Sequence, residues 1–300
     1  MRGVRADLAG VLVGDGRPVA IMGVVNVSPE SFHAGSVYRG EEAMVRAALG
    51  MVEAGAVLID VGARSTAPYL DTEIDEATES ARLGRAVELL APKLPVPVSA
   101  DTSRPGPARA ALEAGARVVN DVSTLADPAL ARLVAERAAG LVIMASPGGG
   151  ATAGRARGRA GRRTTGSLPR PSSPVATVTR ILARGLQRAR VAGIPRDRIV
   201  VDPGIGFFRD AGLPWHAWDA RVLAGLRALR QLARPICVGV SRKSFIGSIV
   251  ERADTGERLA GSLAATAVAV YNGAALVRTH DVAETRDAVR VAERLRDAGG

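Results

Sequence analysis

This chain of 300 residues has one cysteine, three histidines, 3% aromatic residues and only two lysines, Lys93 and Lys243, against 38 arginines. The lone Cys237 excludes an internal disulfide framework. No N-terminal stretch joins a cationic start, an apolar segment and a small-residue cleavage site, so a cytoplasmic location is expected. No apolar run reaches the length of a membrane span, and no membrane partner is expected. Cysteine and histidine nowhere take zinc spacing, and no serine stands in a nucleophile elbow. No dinucleotide fingerprint follows the first apolar run. These absences exclude structural zinc and argue against hydrolysis through a covalent serine.

What is present is apolar content of 47%, enough for a sizeable core, and a formal charge of +10. Six arginines and no acids fall within 145–175, leaving about +4 elsewhere. Charge of that size favours an anionic ligand weakly and nucleic acid hardly at all, so no nucleic-acid partner is expected. From Ser146 to Pro174 the chain reads Gly, Ala, Arg, Ser, Thr and Pro without apolar periodicity. This composition predicts a flexible Arg/Gly/Pro-rich insertion after the fifth strand, a surface loop or a lid over the active face. RNA binding through its arginines is the third reading of the whole protein.

Short apolar, β-branched runs recur at 19–25, 56–61, 96–100, 117–120, 140–144, 198–202, 235–240 and 274–279. Segments of helical spacing lie between them at 40–54, 75–91, 105–114, 128–138, 174–192, 217–232, 257–272 and 283–297. Eight such alternations predict a parallel sheet with helical crossovers, and at this length a single closed (β/α)8 TIM barrel spanning 1–300. Asp127-Pro128 reads as a helix cap with proline at the first position, and Glu41 and Glu42 suit a first turn. Gly55, Gly115, Gly193 and Gly273 each close a helix where a left-handed residue is wanted.

In such a barrel the chemistry lies at the carboxyl ends of the strands. Those ends are Asn26; Asp60 with Ala63-Arg64-Ser65-Thr66-Ala67-Pro68; Asp101-Thr102; Asn120-Asp121; Met144; Asp202-Pro203-Gly204; Ser241-Arg242-Lys243; and Arg278-Thr279-His280-Asp281. Each has a plain alternative: Asp101 and Asp121 can cap the next helix, Lys243 can be a solvated loop cation, and His280 can be a satisfied core residue. Converging on one mouth, they form a concave set of donors and acceptors. Asp101, Asn120, Asp202 and Lys243 suit a flat nitrogen-rich heterocycle, while Arg278 and His280 near Asn26 read as an anion clamp. Asn26 can also offer its oxygen to Mg²⁺. Transfer from a phosphorylated heterocycle fits this set better than hydrolysis.

The stretches IMGVVNVSPESF (21–32), IDVGARSTAP (59–68), ADTSRP (100–105), VNDVS (119–123), DPGIGF (202–207), VGVSRKSFIG (238–247) and VRTHDV (277–282) resemble, in order and spacing, the dihydropteroate synthase family of pterin-binding barrels. The resemblance implies condensation of 7,8-dihydropterin-6-ylmethyl diphosphate with an arylamine, releasing diphosphate, in folate or methanopterin biosynthesis. It implies that Asp101, Asn120, Asp202 and Lys243 hold the pterin. Asn26 with Mg²⁺, Arg278 and His280 would hold the diphosphate, Ser241 and Arg242 would serve the arylamine side, and Thr66 would also bind substrate. Asp101, Lys243 and Arg278 are the implied catalytic groups, and a homodimer is implied.

Departures from the family pattern cluster in the loops. Ala63-Arg64-Ser65-Thr66-Ala67-Pro68 lacks the usual arginine after threonine, Phe208-Arg209 replaces Gly-Lys, Met144-Ala145 replaces Met-His, and the loop after Ser31 differs. They resemble methanopterin-type members, whose acceptor is a ribofuranosylaminobenzene 5′-phosphate that extra arginines such as Arg64, Arg209 or those of the insertion would favour. A corrinoid methyltransferase on the same barrel is the alternative, disfavoured by the Ser-Arg-Lys and Arg-Thr-His sets.

Overall fold

The computed structural model describes residues 3–27, 40–64, 74–147, 173–209 and 213–299. Thr66 and most of the expected insertion, 148–172, lie outside the described residues, as does the loop after Ser31.

The chain opens with an antiparallel hairpin, β1 (Arg5–Leu8) and β2 (Val11–Gly14), which the sequence reading did not anticipate. Its turn residues Ala9 and Gly10 both have positive φ, 57° and 95°, as a two-residue mirror-image turn requires. Alternation along strands only four residues long turns Ala6, Leu8 and Val13 to one buried face. So short an alternation is weak evidence in a sequence, which is why the element escaped notice.

Eight parallel strands then close a barrel: β3 (Ala20–Asn26), β4 (Leu58–Gly62), β5 (Val98–Asp101), β6 (Val118–Asp121), β7 (Gly140–Met144), β8 (Ile199–Asp202), β9 (Ile236–Gly239) and β10 (Ala274–Thr279). β10 pairs with β3 to complete the ring. Every expected strand is present. From β4 to β9 each residue is buried, because the strands face packed side chains on both sides.

Inside, Met22, Leu58, Val118, Val142, Val200, Cys237 and Leu276 form one apolar cluster with Ala6, Leu8 and Val13 of the hairpin. The hairpin thus plugs the amino-terminal end of the barrel. Outside, the strands pack against helices in two further clusters, joining Ile59, Val61, Leu83 and Val87 on one side and Leu141, Ile143, Leu182 and Val222 on the other.

The crossover helices are α1 (Glu41–Ala54), α2 (Glu76–Leu90), α3 (Pro105–Glu113), α4 (Pro128–Glu136), α5 (Pro174–Val191), α6 (Trp215–Ala224), α8 (Leu259–Tyr271) and α9 (Val282–Ala298), with a short α7 (Ser244–Val250) before α8. The Asp127 side chain accepts from Ala129 N–H at 2.7 Å, and Gly55, Gly115, Gly193 and Gly273 all take positive φ, as expected. The expected helix over 217–232 is instead α6 followed by a 3-10 segment over Leu226–Leu232. Gly225 stands at the break, where an added Cβ would come within 2.6 Å of Val175 on α5. The short α7 was also not anticipated; seven residues carry too little periodicity to read. Among the described residues no helix is long and apolar enough to cross a membrane.

Candidate active site

Side chains alternate across a strand, so the residue two places beyond each apolar interior position also points into the barrel. Beyond Leu58 that is Asp60, beyond Val118 it is Asn120, beyond Val200 it is Asp202, and beyond Leu276 it is Arg278. The apolar floor is therefore followed, one layer toward the carboxyl ends, by polar groups that must satisfy one another or a ligand.

They do so partly. Arg278 Nε donates to Asp60 Oδ2 and its Nη2 to Asp101 Oδ2, each at 2.7 Å, while Asn120 Nδ2 donates to Asp60 Oδ2 at 2.9 Å. The two carboxylates raise the Arg278 pKa against the cost of its burial. Burial pushes Asp101 up to about 7; Arg278 opposes that rise and the Asp60 charge adds to it. Asp60 Oδ1 and Asp101 Oδ1 remain buried with no hydrogen-bond partner, two acceptors available to a ligand's N–H groups.

A second charged pair lies across the barrel. Asp202 accepts from Gly204 N–H at 2.7 Å, and Lys243 Nζ donates to Ile205 O at 2.5 Å and lies 5.3 Å from the Phe207 ring centroid. Burial raises the Asp202 pKa, with Lys243 opposing, and lowers that of Lys243, with Asp202 opposing. Beneath them the buried Cys237 thiol is pushed well up by burial and by the Asp202 charge.

The third group is Asn26, His280 and Ser241. Ser241 Oγ lies 3.1 Å from His280 Nδ1, and His280 Nε2 lies 3.5 Å from Asn26 Nδ2. Arg242 turns away from it. Its guanidinium donates to both oxygens of Asp281 at 2.9 and 2.7 Å and to Thr255 O and Gly256 O at 3.1 and 2.9 Å, from a residue with φ of 54°. In this conformation Arg242 ties the loop after β9 to the start of α9.

Of the residues singled out from the sequence, Asn26, Asp101, Asn120, Asp202, Ser241, Lys243, Arg278 and His280 thus stand at one end of the barrel, while Arg242 is committed beside it. Asp121 does not cap the next helix, whose N-cap is Asp127; it holds the turn after β6 through Ser123 N–H at 3.1 Å and Leu125 N–H. Asp60, read from the sequence only as a strand end, is the shared acceptor of Arg278 and Asn120, and its inward register was the available signal. Two further contributors were missed. Glu79, with a side chain 1% exposed, accepts from Thr102 Oγ1 at 2.6 Å and Arg104 at 3.0 Å, and lies 3.5 Å from Arg64 Nε. Asp219 on α6 accepts Gly206 N–H at 2.9 Å. Nothing in the local pattern of α2 or α6 marks either carboxylate as turned toward the mouth.

Among the described residues no group of three or more His, Cys, Asp or Glu could hold a metal ion. Asn26, whose Oδ1 lies 3.3 Å from where a Cβ on Gly62 would stand, fits a different kind of site. There a hard cation takes one protein oxygen and the rest from substrate phosphates and water.

Residues 22–280 match the family of pterin binding enzymes. The dihydropteroate synthase of Escherichia coli strain K12 is 34% identical over 273 residues, covering 91% of this chain and 90% of that protein. A solved Xanthomonas albilineans dihydropteroate synthase with 4-aminobenzoic acid is 35% identical with a TM-score of 0.81, covering 98% of each chain. The same protein in complex with 7,8-dihydropteroate is 34% identical with a TM-score of 0.78, covering 97% of this chain and 98% of that one. The chain belongs to the pterin-binding enzyme family, within its dihydropteroate synthase branch.

Proposed function

We propose that this transferase condenses 7,8-dihydropterin-6-ylmethyl diphosphate with 4-aminobenzoate, releasing diphosphate and 7,8-dihydropteroate. The observation that carries this reading is the floor of the mouth, where Asp60 Oδ1 and Asp101 Oδ1 are buried acceptors without partners, with the ammonium of Lys243 held on the Ile205 carbonyl in the turn after β8. A pterin's amino and ring N–H groups answer the carboxylates, and its carbonyl answers the lysine. The diphosphate would lie toward His280, Asn26 and Ser241, with Arg278 between it and the ring.

In the reaction the bond between the methylene carbon and the bridging oxygen breaks, and its electron pair leaves with diphosphate. The aniline nitrogen lone pair forms the new C–N bond, and the nitrogen then loses a proton to solvent or to diphosphate. Arg278 and His280 stabilise the departing charge, and ionised Asp101 stabilises the positive charge that develops on the pterin methylene. A neutral aniline needs no strong base, so the protein's contribution is orientation and electrostatics. Mg²⁺ would be held by Asn26 Oδ1 and the diphosphate oxygens, supplying neutralisation of phosphate charge when bound.

Two observations favour 4-aminobenzoate over its ribosyl phosphate. Arg64 lies against Glu79, and Arg209 donates to Ser244 Oγ at 2.6 Å and stacks over Trp215 at 4.0 Å, so two of the arginines nominated for an extra phosphate have internal roles. The Xanthomonas albilineans relative is solved with 4-aminobenzoic acid. Diphosphate release measured with Mg²⁺ and no amine, 4-aminobenzoate, or ribofuranosylaminobenzene 5′-phosphate tests the assignment. Stimulation by 4-aminobenzoate is expected. Stimulation by the ribosyl phosphate alone would move the chain to methanopterin-type synthesis. No release with any amine, together with binding of methyltetrahydrofolate, would move it to methyl transfer.

The proposal includes a homodimer, supported by Ile249 and Val250 of α7 and Val268 and Tyr271 of α8, all large apolar residues more than 40% exposed. Cytoplasmic synthesis accords with a cysteine kept as a buried thiol.

A further inference from the structure

Both tryptophans of the chain, Trp215 and Trp218, stand at the start of α6, three residues apart, with Asp219 directly after. All three touch the turn that follows β8. The Phe208 ring stacks on Trp218, with centroids 5.0 Å apart and planes 20° from parallel, and the Arg209 guanidinium lies 4.0 Å above the Trp215 ring. Asp219, 1% exposed, accepts Gly206 N–H through Oδ1 at 2.9 Å, and its Oδ2 is buried without a hydrogen-bond partner. Gly206 has φ of 88°, and a Cβ there would come within 3.2 Å of Lys243 Cδ, so the turn and the lysine stem are in close contact. The carbonyl of Ile205, one residue earlier, is the acceptor of Lys243 Nζ.

We infer that Asp219, supported by the two tryptophans, is a positioning residue for Lys243. It anchors Gly206 so that the Ile205 carbonyl holds the ammonium in the mouth of the barrel. This rests on the synthase reading above and deepens it, because the lysine it positions is the proposed donor to the pterin carbonyl. Asp219 touches no reacting atom. A buried carboxylate with one oxygen on a backbone N–H and the other unmatched is costly unless it serves the geometry of its neighbours. Its charge also acts on Lys243, which gives the unmatched oxygen a long-range partner. The tryptophans explain why Phe208 and Arg209 stand in this turn: each has its own ring on α6 to pack against. Trp215, Trp218 and Asp219 therefore grip the turn as one unit.

Steady-state kinetics of wild type, Asp219→Ala and Asp219→Asn test this, each substrate varied in turn at saturating levels of the other. For Asp219→Ala a roughly tenfold rise in KM for the pterin diphosphate is expected, with kcat and KM for 4-aminobenzoate within about twofold, since Lys243 loses its alignment but the amine side is untouched. Asp219→Asn keeps an acceptor for Gly206 N–H and loses the charge, so a rise of about threefold is expected. Thermal unfolding of each variant separates loss of fold from loss of alignment, and the isosteric asparagine variant keeps the test open where alanine unfolds. An unchanged pterin KM in both variants, or an equal rise for both substrates, overturns the assignment. Wild type without amine-stimulated diphosphate release fails the synthase reading instead, so the two failures are distinguishable.

Discussion

At the scale of single residues, the site is governed by burial working against charge. Asp101 is held at about 7 because burial outweighs the Arg278 cation 2.7 Å away. It is protonated below that value and ionised above it in the free enzyme. If the ionised form stabilises the methylene cation, kcat/KM for the pterin diphosphate rises with pH through about 7. Burial lowers the Lys243 pKa, so loss of its proton brings the alkaline fall in from where an exposed lysine would set it. Asp101→Asn should abolish the acid limb and lower kcat by ~10²-fold. A variant that retained the limb near neutrality would assign that titration to another group. Steady-state rates between pH 5 and 9 make the measurement. The residue types at the strand ends were readable in the sequence because each is a polar side chain closing an apolar run. Their pairing was not. The sequence did not show that Arg278 Nε and Nη2 are engaged by Asp60 and Asp101, which are 218 and 177 residues distant along the chain.

At the scale of elements, the hairpin has a role that its length conceals. Leu8 is fully buried, and an added Cβ on Gly140 would lie 3.0 Å from Leu8 Cδ2, so this side chain reaches the start of β7 inside the barrel. Leu8→Ala removes a side chain with little room to be refilled, and should cost ~2–5 kcal/mol of stability. The mouth lies at the other end of the strands, so kcat should stay within about twofold. Urea unfolding beside a turnover assay checks both, and a drop in kcat without a drop in stability would contradict the plug role. The eight strands and the glycine-terminated helices were legible because their apolar periods are long and their caps are local signals. The hairpin, the short α7 and the break at Gly225 were not, because each is decided by what it packs against.

At the scale of the whole molecule, the apolar residues left uncovered on α7 and α8 lie on two helices in contact with each other. Scattered exposed apolar residues are ordinary, but a group on two packed helices is what the proposed dimer would cover. Sedimentation velocity should give a dimer for wild type, and Val268→Glu/Tyr271→Glu should give a monomer that keeps its fold. A monomeric wild type at tens of micromolar would remove the dimer from the account.

The alternation of β-branched runs with helical segments, and the placement of polar residues at the ends of the runs, were determined by the sequence alone. Both follow from backbone periodicity and burial, which act over a few residues. Only the tertiary structure decided which charges meet. Closing the barrel brings β4, β5 and β10 together around Arg278, directs Arg242 to Asp281, and sets Asp219 of α6 under the turn that holds Lys243. Electrostatic partners depend on distance in space, and in a closed barrel that distance is fixed by strand register and closure, with no counterpart in sequence separation.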